Sequence, residues 1–197
     1  MSCIPGGKFL RGSNDDKHNL TCKQPSNNDH HVSNTYPQAE IWLQTYYMDK
    51  TEVTNAAYKA CVKAGKCVKS GPKYVDFDRP KQPITGISWY EANDFCKAQG
   101  KHLPTEAEWE KAARGAQGDM YPWGNGPISC DNAVIMNEKG RSCGQKKEKG
   151  KNPDTGRVLE VCSRGAFRYD LCDMVGNAEE WVADWYSKSY ESCGKDC

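Results

Sequence analysis

Eleven cysteines in 197 residues are the side chains with the most chemistry to offer. Their spacing lacks the paired C-x-x-C blocks of a zinc ribbon, so a metal–thiolate site is not expected. Several pairs would instead close short loops: Cys61 with Cys67, Cys130 with Cys143, Cys162 with Cys172, and Cys193 with Cys197. Cys3 with Cys22 is a further candidate, and the connectivity stays open at this level. Disulfides in this density point to an oxidising, extracytoplasmic compartment, secreted or periplasmic. Met1-Ser2-Cys3-Ile4-Pro5 has neither a basic start nor an apolar middle, so a targeting segment is expected to have been removed. Eleven is odd, and Cys96, on a helix face with no short-loop partner, is the expected free thiol.

Other chemistry is sparse. Asp29-His30-His31 could ligate a metal, but adjacent histidines point to different sides, and a solvated loop is the preferred reading. Asn19-Leu20-Thr21 is a glycosylation sequon. The chain contains no G-x-S-x-G elbow, no Walker or Rossmann glycine pattern and no H-E-x-x-H helix. No catalytic residues are assigned. The best-placed carboxylates are absorbed by helix capping, which leaves no acid pair of glycosidase type. Lys146 to Lys151 is a basic run, but it is short, lacks aromatics and includes Glu148, so it reads as a solvated loop. A net charge of +1 gives no reason to expect nucleic acid as a partner. No apolar run approaches the roughly 18 residues that span a bilayer.

The elements that must position these residues are specified locally. Thr105 with Glu108, and Ser88 with Glu91, are capping boxes ahead of short helices. The first of these helices carries Trp109, Ala112 and Ala113 on one stripe, Lys111 and Arg114 near its negative end, and Gly115 as its stop. The other runs to Ala98 with Trp89, Ala92 and Cys96 on one side, and is expected to pack against the first. Thr54 caps a helix from Ala56 to Ala64, with Tyr58, Cys61 and Val62 on one face. Ile41, Leu43 and Tyr47 alternate with Gln44 and Tyr46 as one half-buried strand, and Lys8 to Leu10 forms a short strand between turns. Hydrophobic content of 37% and mean hydropathy of -0.86 predict a small core with much loop. Trp181 and Trp185 are read as core anchors.

Five stretches in order carry a family resemblance: DKTEVTNAAY, ISWYEANDFC, GKHLPTEAEWE, YPWGNG and DLCDMVGNAEEWVADWY; IPGGKFLRGS is similar to an opening motif, with Leu10-Arg11 where a Met-Gly-Ser approach is more usual. Together they resemble the formylglycine-generating enzyme, or sulfatase-modifying factor, family. Departures are His102 where the family usually carries Arg, and Ala178-Glu179-Glu180-Trp181 where Val-Trp-Glu-Trp is commoner. The resemblance implies an irregular α+β, C-type-lectin-like fold, loop-rich and disulfide-stapled. It implies one domain over residues 1–197, incomplete at its C-terminus.

The family's activity is oxidation of a cysteine to formylglycine within a Cys-x-Pro-x-Arg motif of an unfolded sulfatase. It uses oxygen and a copper ion held by two cysteines, soft ligands suited to Cu(I). That pair follows an Arg-Gly-Gly-Ser-Trp-like strand, which this sequence lacks, so neither copper ligand can be placed and the chain alone is not expected to make formylglycine. In the family, the cysteine matching Cys96 can pair with one near the C-terminus. The resemblance also implies structural calcium. Asp173 and Glu180, with the backbone carbonyls of Gly176 and Ala178, match one site, and Asn132 with the Ala133 carbonyl matches part of a second. The alternative reading is a non-catalytic, lectin-like binding or surface-display module, whose ligand would be another protein or a carbohydrate.

Overall fold

The computed structural model describes residues 1–14, 35–146, 148, 156–187 and 190. The Asn19 sequon, Asp29-His30-His31, Cys22, the Cys193–Cys197 pair and most of the Lys146–Lys151 run lie outside them.

Two small antiparallel pairs form the strand layer. β1 (Ser2–Ile4) pairs with β4 (Tyr46–Met48), with Ser2 opposite Met48. β2 (Gly7–Arg11) pairs with β3 (Ala39–Leu43), with Gly7 opposite Leu43. The single strand expected around Ile41 to Tyr47 is therefore two. Gln44-Thr45 breaks it, where Gly6 N–H donates to Thr45 Oγ1 at 2.9 Å. The break reverses the expected alternation: Tyr46 turns inward while Tyr47 is exposed.

Three side-chain-capped helices follow, α1 (Asn55–Lys63), α2 (Trp89–Ala98) and α3 (Glu106–Arg114), and a short kinked turn of helix, Arg141–Gly144, comes later. Each of the three begins where the sequence placed its cap. Thr54 Oγ1 accepts from Ala57 N–H at 3.2 Å. Both capping boxes close, with Thr105 N–H to Glu108 Oε2 at 2.8 Å and Ser88 N–H to Glu91 Oε2 at 2.6 Å. Caps of this kind are worth about 1 kcal/mol each. Gly115 ends α3 at φ 72°, and a Cβ there would meet the Arg168 side chain at 2.5 Å. Only glycine suits that position.

One core cluster joins Ile4 of β1, Ala112 and Ala113 of α3, Leu171 and Met174, with Tyr46, Met48 and Trp109 packed against it. The second centres on Tyr58, Cys61 and Phe95, with the Tyr58 and Phe95 rings stacked 5.7 Å apart. That stack makes α1 a packing partner of α2, whereas α3 lies against β2 and the turn Arg168–Asp170. The expected packing of α2 on α3 is replaced by a connection through segment 181–184. Trp89 Nε1 donates to Val182 O, Ala183 N–H to Pro104 O, and Glu106 N–H to Asp184 Oδ2.

The loop from Lys66 to Pro83 is held by two buried amides. Asn55 Nδ2 donates to Phe77 O and Arg79 O, and Gln82 Nε2 to Asp76 O and Val158 O. Buried carboxamides with several backbone partners supply order that so small a core cannot. Disulfides Cys61–Cys67, Cys130–Cys143 and Cys162–Cys172 are formed as expected. Cys96 is a half-buried free thiol, as expected; Cys3 is exposed and also free among the described residues. No helix among the described residues is long and apolar enough to cross a membrane.

Candidate cation site and cleft

The chain leaves an open cleft of about 1290 Å³ between the α1–α2 face and the loop that follows Leu171. Tyr47, Cys96, His102, Trp109 and Trp181 are among the residues that line it, with Glu52 and Glu180 on its wall.

Three carboxylates approach one another there. Asp173 and Glu180 come from the loop after Leu171, as the resemblance implied. Glu52 comes from the linker between β4 and α1, and sequence reasoning gave it no role. Glu52 Oε2 accepts from Asn177 Nδ2 at 3.1 Å, while its Oε1 is buried and receives no hydrogen bond. Asp173 Oδ2 accepts from the Cys162 backbone N–H at 2.5 Å. Glu180 Oε2 accepts from Trp109 Nε1 at 2.7 Å.

The loop geometry that gathers them is built in. Asp173 and Asn177 adopt left-handed backbone, at φ 56° and 59°. Gly176 lies between them at φ 82°, where a Cβ would stand 2.3 Å from Val134 O. Asn177 N–H donates to that same carbonyl at 2.9 Å.

Electrostatics show what this cluster lacks. Desolvation, then repulsion from Asp173 and Glu180, pushes the Glu52 carboxyl up to about 9. Burial also raises Asp173, against the Cys162 N–H, the hydrogen bond it shares with the Glu52 carboxyl, and the positive charge of Arg164. Desolvation pushes the Glu180 carboxyl up to about 7, with the Trp109 bond opposing the rise and the Asp173 charge adding to it. Burial is the main cause of all three shifts, and oxygen ligands of this type suit a hard divalent cation. Among the described residues no group of three or more His, Cys, Asp or Glu side chains is placed so that it could hold a metal ion. Carboxylates together with backbone carbonyls are the donor chemistry that calcium takes.

Asn132 and Ala133 are placed differently. Asn132 Oδ1 accepts from Ser129 N–H at 2.9 Å and its Nδ2 donates to Pro127 O, so this side chain closes a turn. The turn leads into Val134, which bridges Gly176, so the two stretches named for calcium are neighbours.

The thiols do not fit a copper pair. Among the described residues only Cys3 and Cys96 are free, and they sit on different elements, β1 and α2. Burial, then the Asp49 charge, raises the Cys96 thiol and holds it protonated.

Trp181 and Trp185 are not core anchors. They are 50% and 92% exposed, because segment 181–184 is laid across the starts of α2 and α3 by its backbone. Trp181 keeps one tie, from Nε1 to Ile87 O at 3.1 Å.

Short antiparallel strand pairs, three capped helices, three disulfides and long ordered loops define an irregular α+β, C-type-lectin-like class. Residues 1–197 match the sulfatase-modifying factor enzyme 1-like domain, and the chain belongs to that family. It is 35% identical over 240 residues to the formylglycine-generating enzyme of Bos taurus, covering 95% of this chain and 58% of that protein. It is 29% identical over 208 residues to the uncharacterized protein YfmG of Bacillus subtilis, covering 92% of this chain and 41% of that protein. The chain thus spans less than two thirds of either relative. Among solved structures, PvdO from Pseudomonas aeruginosa shares the fold, with a TM-score of 0.68 at 20% identity, over 95% of this chain and 71% of that one.

Proposed function

We propose that this chain supplies the scaffold and cleft of a formylglycine-generating-type domain, with calcium held at Asp173 and Glu180 and the carbonyls of Gly176 and Ala178. The supporting observation is the acidic wall of the cleft, where Glu52, Asp173 and Glu180 face one another with a buried oxygen left over. Calcium there would screen the carboxylates and hold the 173–180 loop against the linker that precedes α1. Asn132 and the Ala133 carbonyl would contribute to a second, weaker site one strand bridge away.

The cleft would receive an extended sulfatase segment around a Cys-x-Pro-x-Arg motif. Oxidation of its cysteine would need a copper–thiolate pair, which is not found among the described residues, so the role proposed for them is binding. Three disulfides match an extracytoplasmic setting, secreted or periplasmic.

A labelled Cys-x-Pro-x-Arg peptide, followed by fluorescence anisotropy and then by mass after incubation with copper and oxygen, tests this reading. The expected result is saturable binding, weakened by calcium chelation, and no formylglycine. Formylglycine would restore a catalytic role to this chain. No binding would leave the non-catalytic display reading, which exposed Trp181, Trp185 and Tyr186 favour.

A further inference from the structure

The cleft is not acidic throughout. Four basic side chains line it, and three of them are already engaged. Lys101 Nζ reaches both carboxylate oxygens of Asp49, at 2.7 and 2.8 Å. The Arg157 guanidinium pairs with Glu148 at 2.6 Å. His102 Nδ1 donates to Leu103 O at 2.7 Å. Arg141 is exposed, and its guanidinium has no partner among the described residues.

The backbone fixes where that arginine stands. Ser142 and Cys143, which follow it, both adopt left-handed conformation, at φ 49° and 58°. Two successive non-glycine residues in that region are costly and persist only where their surroundings hold them. Here the Cys130–Cys143 bridge does so, with the Cys143 N–H bond to Ile135 O at 2.6 Å. On the other side, a Cβ at Gly156 would stand 2.7 Å from Arg141 Cβ, so only a glycine lets the two stretches of chain close up. Ile135 adjoins Val134, which bridges Gly176. The unpaired guanidinium is thus held on a braced lip beside the loop that carries Asp173 and Glu180.

Resting on the peptide reading above, we propose that Arg141 is a specificity residue of the cleft, pairing with an Asp or Glu side chain that flanks the cysteine motif of the bound segment. A planar guanidinium offers paired donors that match a carboxylate. A monoanion suits the place better than a phosphate, because Glu179 and Glu180 line the same cleft and repel a dianion more strongly. A lysine at that peptide position meets like charge. One side chain therefore both selects and excludes.

The test uses Cys-x-Pro-x-Arg peptides with a common N-terminal fluorophore and an amidated C-terminus. Each carries one Glu, Gln, Lys or phosphoserine, placed at every flanking position in turn, so that series members differ in a side chain alone. Anisotropy would follow binding to the full chain and to its Arg141→Gln and Arg141→Glu variants. The expected result is a position at which Glu binds about fivefold tighter than Gln, an advantage that shrinks as salt is raised. Arg141→Gln should abolish that advantage, and Arg141→Glu should make Lys the preferred residue there. Binding without a Glu preference at any position, or a preference that survives Arg141→Gln, overturns the inference and leaves the cleft reading standing. Phosphoserine preferred to Glu, and only while Arg141 is present, overturns the assignment to a carboxylate. Failure of every peptide to bind the native chain overturns the cleft reading, and the role of Arg141 with it.

Discussion

Trp109 of α3 donates its indole N–H to Glu180 Oε2 at 2.7 Å, across 71 residues of sequence. The bond links the helix that the chain packs around to the loop that carries the candidate cation site. Trp109→Phe keeps most of the apolar contact with the Ile4–Ala112 cluster and removes only the donor. It should lower stability by about 1 kcal/mol, measured by urea unfolding. Calcium affinity should fall modestly, because Glu180 loses the group that orients it. An unchanged urea midpoint would mean that the bond adds nothing to the fold.

Cys162–Cys172 staples the floor of the same loop. The bridge closes a sequence separation of 10, and the Cys162 N–H donates to Asp173. Replacing both cysteines by serine should cost about 2 to 3 kcal/mol, chiefly by freeing the unfolded chain. Asp173 would lose its fixed donor as well. Calorimetry should therefore show a lower Tm and a smaller rise on adding calcium. A lower Tm with the calcium increment intact would separate the bridge from the site.

Lys111 is buried, 2% exposed, and its Nζ donates to Gly7 O at 2.9 Å. Desolvation lowers its pKa below the ordinary 10.5. The unfolded chain therefore binds the proton more tightly than the native one. The burial penalty is present in full below the folded pKa and is relieved as pH rises toward 10.5. Lys111→Met removes the group, so native and variant stabilities should converge, or cross in favour of the native chain, at alkaline pH. The slope between them cannot exceed about 1.4 kcal/mol per pH unit. Parallel stability curves from pH 7 to 10 would contradict the prediction.

Cys3 and Cys96 should be distinguishable by alkylation. Cys3 is exposed on β1, while Cys96 is half-buried on α2 with its thiol held protonated. Brief treatment with iodoacetamide at neutral pH, followed by peptide mapping, should find Cys3 modified several-fold faster. Equal labelling, or slower labelling of Cys3, would show that exposure and burial have been assigned to the wrong thiols.

Much of the local structure was legible in the chain. Thr54, Ser88 and Thr105 open their helices where the cap chemistry placed them, because a cap is satisfied within three residues. The three short-loop disulfides were legible for the same reason. The strand reading failed at Gln44-Thr45: alternation reports which faces are apolar, but not that β3 and β4 each find a different partner. The tryptophans of the 181–185 stretch were misplaced because their side chains are large and apolar while their backbone is claimed by Pro104 and the starts of two helices. Composition cannot express that competition.

The sequence by itself determined the capped helices, the loop-closing cystines and, through five ordered motifs, the family. Each depends on neighbours in the chain or on a string of residue types. Tertiary structure alone decided that Glu52 meets Asp173 and Glu180. Nothing in DKTEVTN marks its glutamate as different from the capping carboxylates elsewhere. Only the fold brings β4's linker under the 173–180 loop, turns Asn177 onto one oxygen of Glu52 and leaves the other without a donor. Contacts between segments so distant depend on packing and long-range loop closure, which no local spacing records.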